Sequence, residues 1–251
     1  MSTNRKTQPA RQRLDTLLVE RGLAPSREHA RALILARDVL VDGAPALRPA
    51  EAIRPEAEVA VRSLARYVSR GGEKLVHTLT RTGIEVSGRR CLDVGASTGG
   101  FSDCLLQHGA AAVVAVDVGY GQLATRLRDD PRVEVRERVN ARSMTPLDPP
   151  VDMATIDVSF ISLTLVLPPV VASLRPGGDI LALVKPQFEA GRKEVGRGGV
   201  VQDATVHASC VARVAVWAID HGLHVRGVIR SPLLGPAGNQ EFFLWLRLPA
   251  S

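Results

Sequence analysis

Four charged residues stand where an apolar chain has little use for charge. Leu181, Ala182, Leu183 and Val184 read as a buried strand, yet Lys185 ends it and Pro186 stops it. Asp157 closes a second apolar run within "VDMATIDVSF", and Glu241 opens a third, "QEFFLWLRL". Lys74 sits in "SRGGEKL", at the expected start of a helix. A charge at the end of a buried strand costs free energy unless something pairs with it or uses it. Two lysines and two carboxylates brought together can hold, hand on or steer a proton.

A glycine loop lies between these residues in sequence. "LDVGASTGGFSD" follows a short apolar strand, and Gly95, Gly99 and Gly100 allow a tight turn and close approach to a ligand. It is not a dinucleotide fingerprint of the G-x-G-x-x-G type, and it lacks the Lys-Ser/Thr ending of a phosphate loop. Asp93, at the strand end, would repel a pyrophosphate. Asp117 ends the next strand, 24 residues later, where a carboxylate can accept hydrogen bonds from ribose hydroxyls. A ligand with a ribose and a positive centre, such as S-adenosylmethionine, fits this pattern better than a dinucleotide. The expected cofactor contacts are Asp93, Gly95, Ala96, Ser97, Thr98, Gly99, Gly100, Asp117, Val118 and Asp157.

The elements that must position these residues alternate. From residue 90, "RCLDVG", "AAVVAVDVG", "RVEVRERV", "VDMATIDVSF" and "GGDILALVK" read as strands. Helices are expected over "GFSDCLLQHG", "GQLATRLRDD", the later half of "TLVLPPVVASL" and "DATVHASCVARVAVWAIDHG". Pro168 and Pro169 are expected to begin the third of these. "HVRGVIRSP" and "QEFFLWLRL" are two final strands, the last one antiparallel. The pattern predicts an α/β fold with a seven-stranded, mostly parallel sheet and helices on both faces. Ligands bind such sheets beyond the carboxyl ends of the strands, the edge on which Asp157, Lys185 and Glu241 converge.

The chain has 251 residues, net charge +6 and three cysteines, none in C-x-x-C spacing. That cysteine usage, with six scattered histidines, points to reduced thiols and a cytoplasmic protein, not to a disulfide frame or a metal site. No apolar run approaches the ~20 residues of a membrane span. Aromatics are 4 % of the chain, so an aromatic platform for bases is not expected. The positive charge is local: residues 1–37 carry eight Lys/Arg against three Asp/Glu, and residues 63–81 four against one. Such blocks suit a polyanionic partner.

The first block contains "RLDTLLVERGLAPSREHARALILARDVLVDGAPALRP". Leu14, Leu17 and Leu18 form one helical stripe, and Ala30, Leu33 and Ile34 a second. Ser26 is a plausible N-cap, and "VLVDGAPAL" alternates around an Asp-Gly turn as a hairpin does.

This front segment resembles the S4-like RNA-binding domain, through Arg13-Leu14-Asp15, Ser26-Arg27 and Val41-Asp42-Gly43. The resemblance implies RNA contacts by Arg13, Ser26, Arg27 and Arg31, with Arg66 and Arg70 extending the basic track. The rest of the chain resembles the TlyA (hemolysin A) family of ribosomal RNA 2′-O-methyltransferases. "YVSRGGEKL", "CLDVGASTGGFSDCLL", "VDVGYGQLA", "IDVSFISL", "LVKPQFEAG" and "GNQEFFLWLR" carry that resemblance in order. It implies a Rossmann-like class I fold and methyl transfer from S-adenosylmethionine to a cytidine 2′-hydroxyl. It also implies a catalytic tetrad, as in the wider FtsJ-like enzymes, at Lys74, Asp157, Lys185 and Glu241, with no metal. Lys185 is expected to relay a proton or orient the hydroxyl, Asp157 and Lys74 to set its state, and Glu241 to hold the ribose or Lys185. The expected partner is ribosomal RNA or a ribosomal subunit, the large one first. The expected domains are residues 11–62 (S4-like), a basic linker 63–69, and 70–248 (methyltransferase). Readings from other classes are a membrane-active hemolysin-like protein and a non-catalytic RNA-binding assembly factor.

Overall fold

The structure, a computed structural model, describes residues 11–35, 37–61, 66–191 and 193–250. It divides between Arg66 and Tyr67 into two compact units. Residues 62–65, which include the first three residues of the expected linker, lie outside the described residues.

The smaller unit is built of β1 (Gln12–Arg13), α1 (Leu14–Glu20), α2 (Arg27–Leu35), β2 (Val39–Val41), β3 (Ala44–Pro45), β4 (Ala52–Ile53) and β5 (Val59–Val61). The Leu14, Leu17, Leu18 stripe of α1 meets Ala30, Leu33 and Ile34 of α2 in one small core. β2 and β3 form the expected hairpin, with Leu40 opposite Pro45 and Val41 opposite Ala44. Asp42 and Gly43 both take positive φ, 50° and 81°, as a two-residue turn matched to strand twist requires.

The larger unit runs α3 (Arg70–Thr82), β6 (Arg90–Val94), α4 (Gly100–Gln107), β7 (Ala112–Val116), α5 (Thr125–Arg128), β8 (Val133–Arg136), β9 (Val151–Ile156), α6 (Leu163–Val171), β10 (Leu174–Val184), α7 (Pro186–Glu189), α8 (Ala204–Asp220), β11 (His224–Arg230) and β12 (Phe242–Arg247). Its seven strands form one sheet in the order β11-β12-β10-β9-β6-β7-β8. β12 is antiparallel to both its neighbours, while β10, β9, β6, β7 and β8 pair in parallel.

β10 explains its own composition. Ile180, Ala182 and Val184 enter the core beneath α6 and α8, while Leu181 and Leu183 enter the core beneath α3 and α4. A strand covered on both faces needs apolar side chains on both, so alternation vanishes. Burying each Leu or Ile contributes about 1.5–3 kcal/mol, which makes the strand a rigid support for the lysine just beyond its tip.

Two expected helices are corrected. "GQLATRLRDD" is helical only over Thr125–Arg128, because the residues before it turn around the ligand edge. α6 does not begin at Pro168 and Pro169; it begins at Leu163, with both prolines inside. Ser162 caps it by accepting from Thr164 N. Four fully or nearly fully buried side chains, Leu163, Val166, Leu167 and Val170, offset the cost of the prolines, ~3 kcal/mol or more for one in a helix interior. The C-terminal end of the expected linker also differs. Tyr67 is buried in the larger unit's core and Val68 N donates to Asp103 Oδ2 (2.8 Å), so residues 67–69 belong to that unit.

Candidate active site

The ligand edge of the sheet is built from the residues just beyond β6, β7, β9 and β10. Gly95 leaves β6 with φ +82°, and a Cβ there would lie 2.4 Å from the Asp157 carbonyl oxygen. Only glycine lets the loop pass so close to the tip of β9. Gly100 opens α4 against the Ser69 hydroxyl, 2.2 Å from where its Cβ would stand. Asp117, just beyond β7, ties the two loops together. Its Oδ2 accepts from Ser97 N and its Oδ1 from Gly119 N, both at 2.7 Å.

Two adjoining cavities result. The larger, about 430 Å³, is lined by Gly95, Ser97, Asp117, Val118, Asp157 and Phe160 among others. The smaller, about 250 Å³, includes Arg70, Lys74, Ala96, Thr98 and Gly100 in its wall. Gly95, Ser97 and Asp157 border both. The larger cavity falls in the range of small-molecule sites. Its carboxylates and open glycine backbone fit the ribose and the positively charged sulfur of S-adenosylmethionine. The smaller cavity adds the cation Arg70, suited to that molecule's carboxylate.

Two of the expected cofactor contacts are placed elsewhere. Asp93 is fully buried beneath the loop, where Ser102 Oγ donates to Oδ2 (2.7 Å) and Thr155 Oγ1 to Oδ1 (3.1 Å). Burial pushes its carboxyl up to about 6, against the pull of those two hydroxyls. Asp93 therefore supports the loop from within and does not face the cavities, because β6 turns its side chain inward before the chain reaches the edge. Gly99 borders neither cavity; its φ of +97° starts α4, and Leu127 packs against its Cα.

The four charged residues form two pairs. Lys74 projects from the buried stripe of α3, beside Leu75 and Thr78, and its Nζ meets Glu241 Oε2 at 2.5 Å. Glu241 is there because β12 runs antiparallel to β10, with Phe242 opposite Val184. Its second oxygen, Oε1, is buried without a hydrogen-bond partner among the described residues. Lys185 Nζ lies 2.6 Å from Asp157 Oδ1 and donates to Ser159 Oγ at 3.0 Å. Lys74 and Asp157, one member of each pair, line the smaller cavity.

In the smaller unit, Arg13 grips Asp15 with two nitrogens, at 3.0 and 2.7 Å, and Arg27 reaches the same carboxylate at 3.3 Å. The Arg13 hydrogen bonds lead in holding the Asp15 carboxyl down at about 2. Asp15 is fully buried while both arginines stay about half exposed, so one buried carboxylate holds two cations at the surface. Arg31 is exposed on α2. Ser26 Oγ accepts from His29 N (3.2 Å), so that hydroxyl serves the start of α2. Arg66 is exposed, and Arg70 belongs to the cavity wall of the larger unit.

Sequence reasoning missed the aromatics. Phe160 is 89 % exposed at positive φ (64°), with its ring 4.8 Å from that of Phe188. Tyr120 is also exposed, under the Arg138 guanidinium at 4.2 Å. A low aromatic fraction counts rings and says nothing of where they stand. The "DVSF" run after a strand was the available signal.

The profile of the FtsJ-like methyltransferase family matches residues 67–248, and that of the S4 domain matches residues 12–59. The chain is 54 % identical over 241 residues to the 16S/23S rRNA (cytidine-2′-O)-methyltransferase TlyA of Mycobacterium tuberculosis, covering 94 % of this chain and 90 % of the relative. A solved structure of a hemolysin candidate from Streptococcus thermophilus is 41 % identical with a TM-score of 0.74, covering 96 % of this chain and 90 % of that one. An S-adenosylmethionine-dependent methyltransferase from Mesorhizobium loti, 14 % identical with a TM-score of 0.52, shares the fold over 68 % of this chain and 96 % of its own. The chain belongs to the FtsJ-like methyltransferases, in the TlyA family of rRNA-modifying enzymes, with an S4 domain ahead of the methyltransferase domain.

Proposed function

We propose that the protein transfers a methyl group from S-adenosylmethionine to the 2′-hydroxyl of a cytidine in ribosomal RNA. The observation that carries this reading is the Lys185–Asp157 pair at the tips of β10 and β9, with Asp157 bordering both cavities. The M. tuberculosis relative, named for both 16S and 23S rRNA, supports the substrate class. Large-subunit RNA is the first substrate of this reading, and small-subunit RNA the second.

S-adenosylmethionine, when bound, supplies a methyl group on a positively charged sulfur. Asp117 accepts from its ribose hydroxyls, while Gly95, Ala96, Ser97, Thr98, Gly100 and Val118 form the walls and Arg70 pairs with its carboxylate. Lys185 does the proton work. Once it has passed a proton to Asp157 Oδ1, 2.6 Å away, its neutral nitrogen takes the proton of the 2′-hydroxyl as the methyl leaves sulfur. Ser159 fixes the direction of a second N–H, so the hydroxyl lone pair is held in one orientation. Orientation of this kind supplies a large part of the rate in transfers between two bound partners. Lys74 and Glu241 form the rigid back of the site, with Glu241 holding Lys74 from behind the cavity wall. Phe160 offers an exposed ring face on which a base can stack. Arg13, Arg27, Arg31 and Arg66 bind RNA phosphates, contacts that position without reading sequence. A ribosomal RNA substrate places this work in the cytoplasm.

The hemolysin description is that of relatives such as the S. thermophilus protein, and no helix among the described residues is long and apolar enough to cross a membrane. The deciding experiment maps 2′-O-methylation on ribosomal RNA incubated with the wild-type protein or with Lys185→Ala, alongside calorimetry of S-adenosylmethionine binding. The reading requires that the variant bind the cofactor and lose the modification. Methylation by Lys185→Ala at the wild-type rate would sink the assigned role.

A further inference from the structure

Glu189 lies one helical turn beyond Lys185, at the end of α7, and is nearly fully buried. Its carboxylate is spent on the opposite loop. Ser162 Oγ donates to Oε2 and Leu163 N donates to Oε1, both at 2.7 Å. Leu163 is the first residue of α6, so this N–H has no acceptor within the helix. A side chain from α7 thus caps the helix that comes after β9.

These bonds complete a row of contacts between two segments. Residues 157–163 leave β9 and residues 185–189 leave β10. Asp157 and Ser159 meet Lys185, the Phe160 ring meets Phe188, and Ser162 and Leu163 meet Glu189. The first contacts lie at the reacting edge, and the last lies farthest along both segments. Arg213 on α8 donates to the Glu189 carbonyl oxygen, fixing the turn from behind. Among the described residues the carboxylate's hydrogen bonds come from neutral donors, and burial pushes its carboxyl up against the pull of those bonds and of the Arg213 charge, so holding it there is costly. Packing alone would favour an apolar side chain.

We propose that Glu189 is a positioning residue for methyl transfer: it locks the 157–163 loop against the 185–189 turn, so that Lys185 and Phe160 meet the target nucleotide in one register. The inference rests on the functional reading above. It concerns a residue that touches neither cavity wall and acts through the two segments it joins.

The test compares wild type with Glu189→Gln, Glu189→Asp and Glu189→Ala by single-turnover transfer to ribosomal RNA, well below each melting temperature. Cofactor affinity is measured in parallel by calorimetry. A glutamine can accept from Leu163 N and donate to Ser162 Oγ, so its rate stays within about threefold of wild type. Aspartate is one methylene short of both donors, and alanine offers no acceptor. Both lose about 10- to 100-fold in rate, the scale of a misplacement near 1 Å, with cofactor affinity far less affected. A purely structural role would lower melting temperatures and leave the rate of the folded protein alone. Wild-type rates in folded Glu189→Ala or Glu189→Asp overturn the proposal, as does a glutamine variant as slow as alanine. If the alanine variant does not fold, the aspartate and glutamine variants decide between the same outcomes. Absence of transfer by the wild-type protein overturns the functional reading instead, so the two failures are distinct.

Discussion

The two lysine–carboxylate pairs have the same chemistry and nearly the same length, yet their surroundings differ. Lys74 and Glu241 are 9 % and 1 % exposed, and they join a helix to the last strand. Lys185 and Asp157 are 12 % and 23 % exposed, at neighbouring strand tips, and Ser159 shares the lysine. A closed pair has lost its water on both sides, so each charge depends on the other. An open pair keeps room for a third group. The first holds the site in shape, and the second is free to work.

Predictions that test this division run from activity to surface binding. Lys185→Ala should lower methyl transfer by roughly 10²–10⁴, the range for loss of a positioned acid–base group, with little change in denaturant midpoint. Lys74→Met should instead destabilise the fold by about 3–5 kcal/mol, because Glu241 is left buried and uncompensated. The double variant Lys74→Met/Glu241→Gln should recover much of that loss in urea titrations. Equal stability losses for the two lysine variants would erase the distinction between the pairs.

The contrast recurs between two buried carboxylates, Asp93 with no cation and Asp15 with two. Asp93 titrates near 6 in the fold, above its ordinary value of 3.8. The folded state then binds the proton more tightly, so its contribution to stability falls as pH rises from about 4 to about 6. Asp93→Asn should remove that slope, worth on the order of 3 kcal/mol. Asp15 titrates near 2, below 3.8, so its stabilisation is present above about pH 4 and lost as pH falls towards 2. Asp15→Asn should flatten the acid side of the curve and leave the pH 4–6 window unchanged. Melting temperatures across pH 2 to 7 separate the two.

The smallest effect belongs to the exposed arginines. Arg31→Ala should weaken RNA binding uniformly and reduce the salt slope by about one, read from affinities at several salt concentrations. Arg27→Ala should do the same and slightly relax the clamp on Asp15. An unchanged salt slope in both would remove α2 from the RNA surface.

Much of the site was legible in the chain. An apolar run ending in Lys185 or Asp157 marks a buried strand with a charge at its tip, and strand alternation puts such tips on one edge. The Asp42-Gly43 turn was legible for the same local reason, since few residues accept two successive positive φ values. The start of α6 was not legible, because two prolines outweigh five helical residues in any local rule, whereas burial of the helix's apolar face outweighs the prolines in the fold. Phe160 was missed because exposure is a property of the assembled loop.

The sequence by itself determined the strand–helix alternation, the glycine loop and the residue types at each strand tip, because these derive from periodicity and backbone sterics. Only the tertiary structure decided which lysine pairs with which carboxylate, that Asp93 turns inward while Asp117 faces the cavity, and that Glu189 reaches across to cap α6. Those choices depend on register and burial between segments up to 167 residues apart, as for Lys74 and Glu241. Local chain chemistry carries no record of such distances until the sheet has closed them.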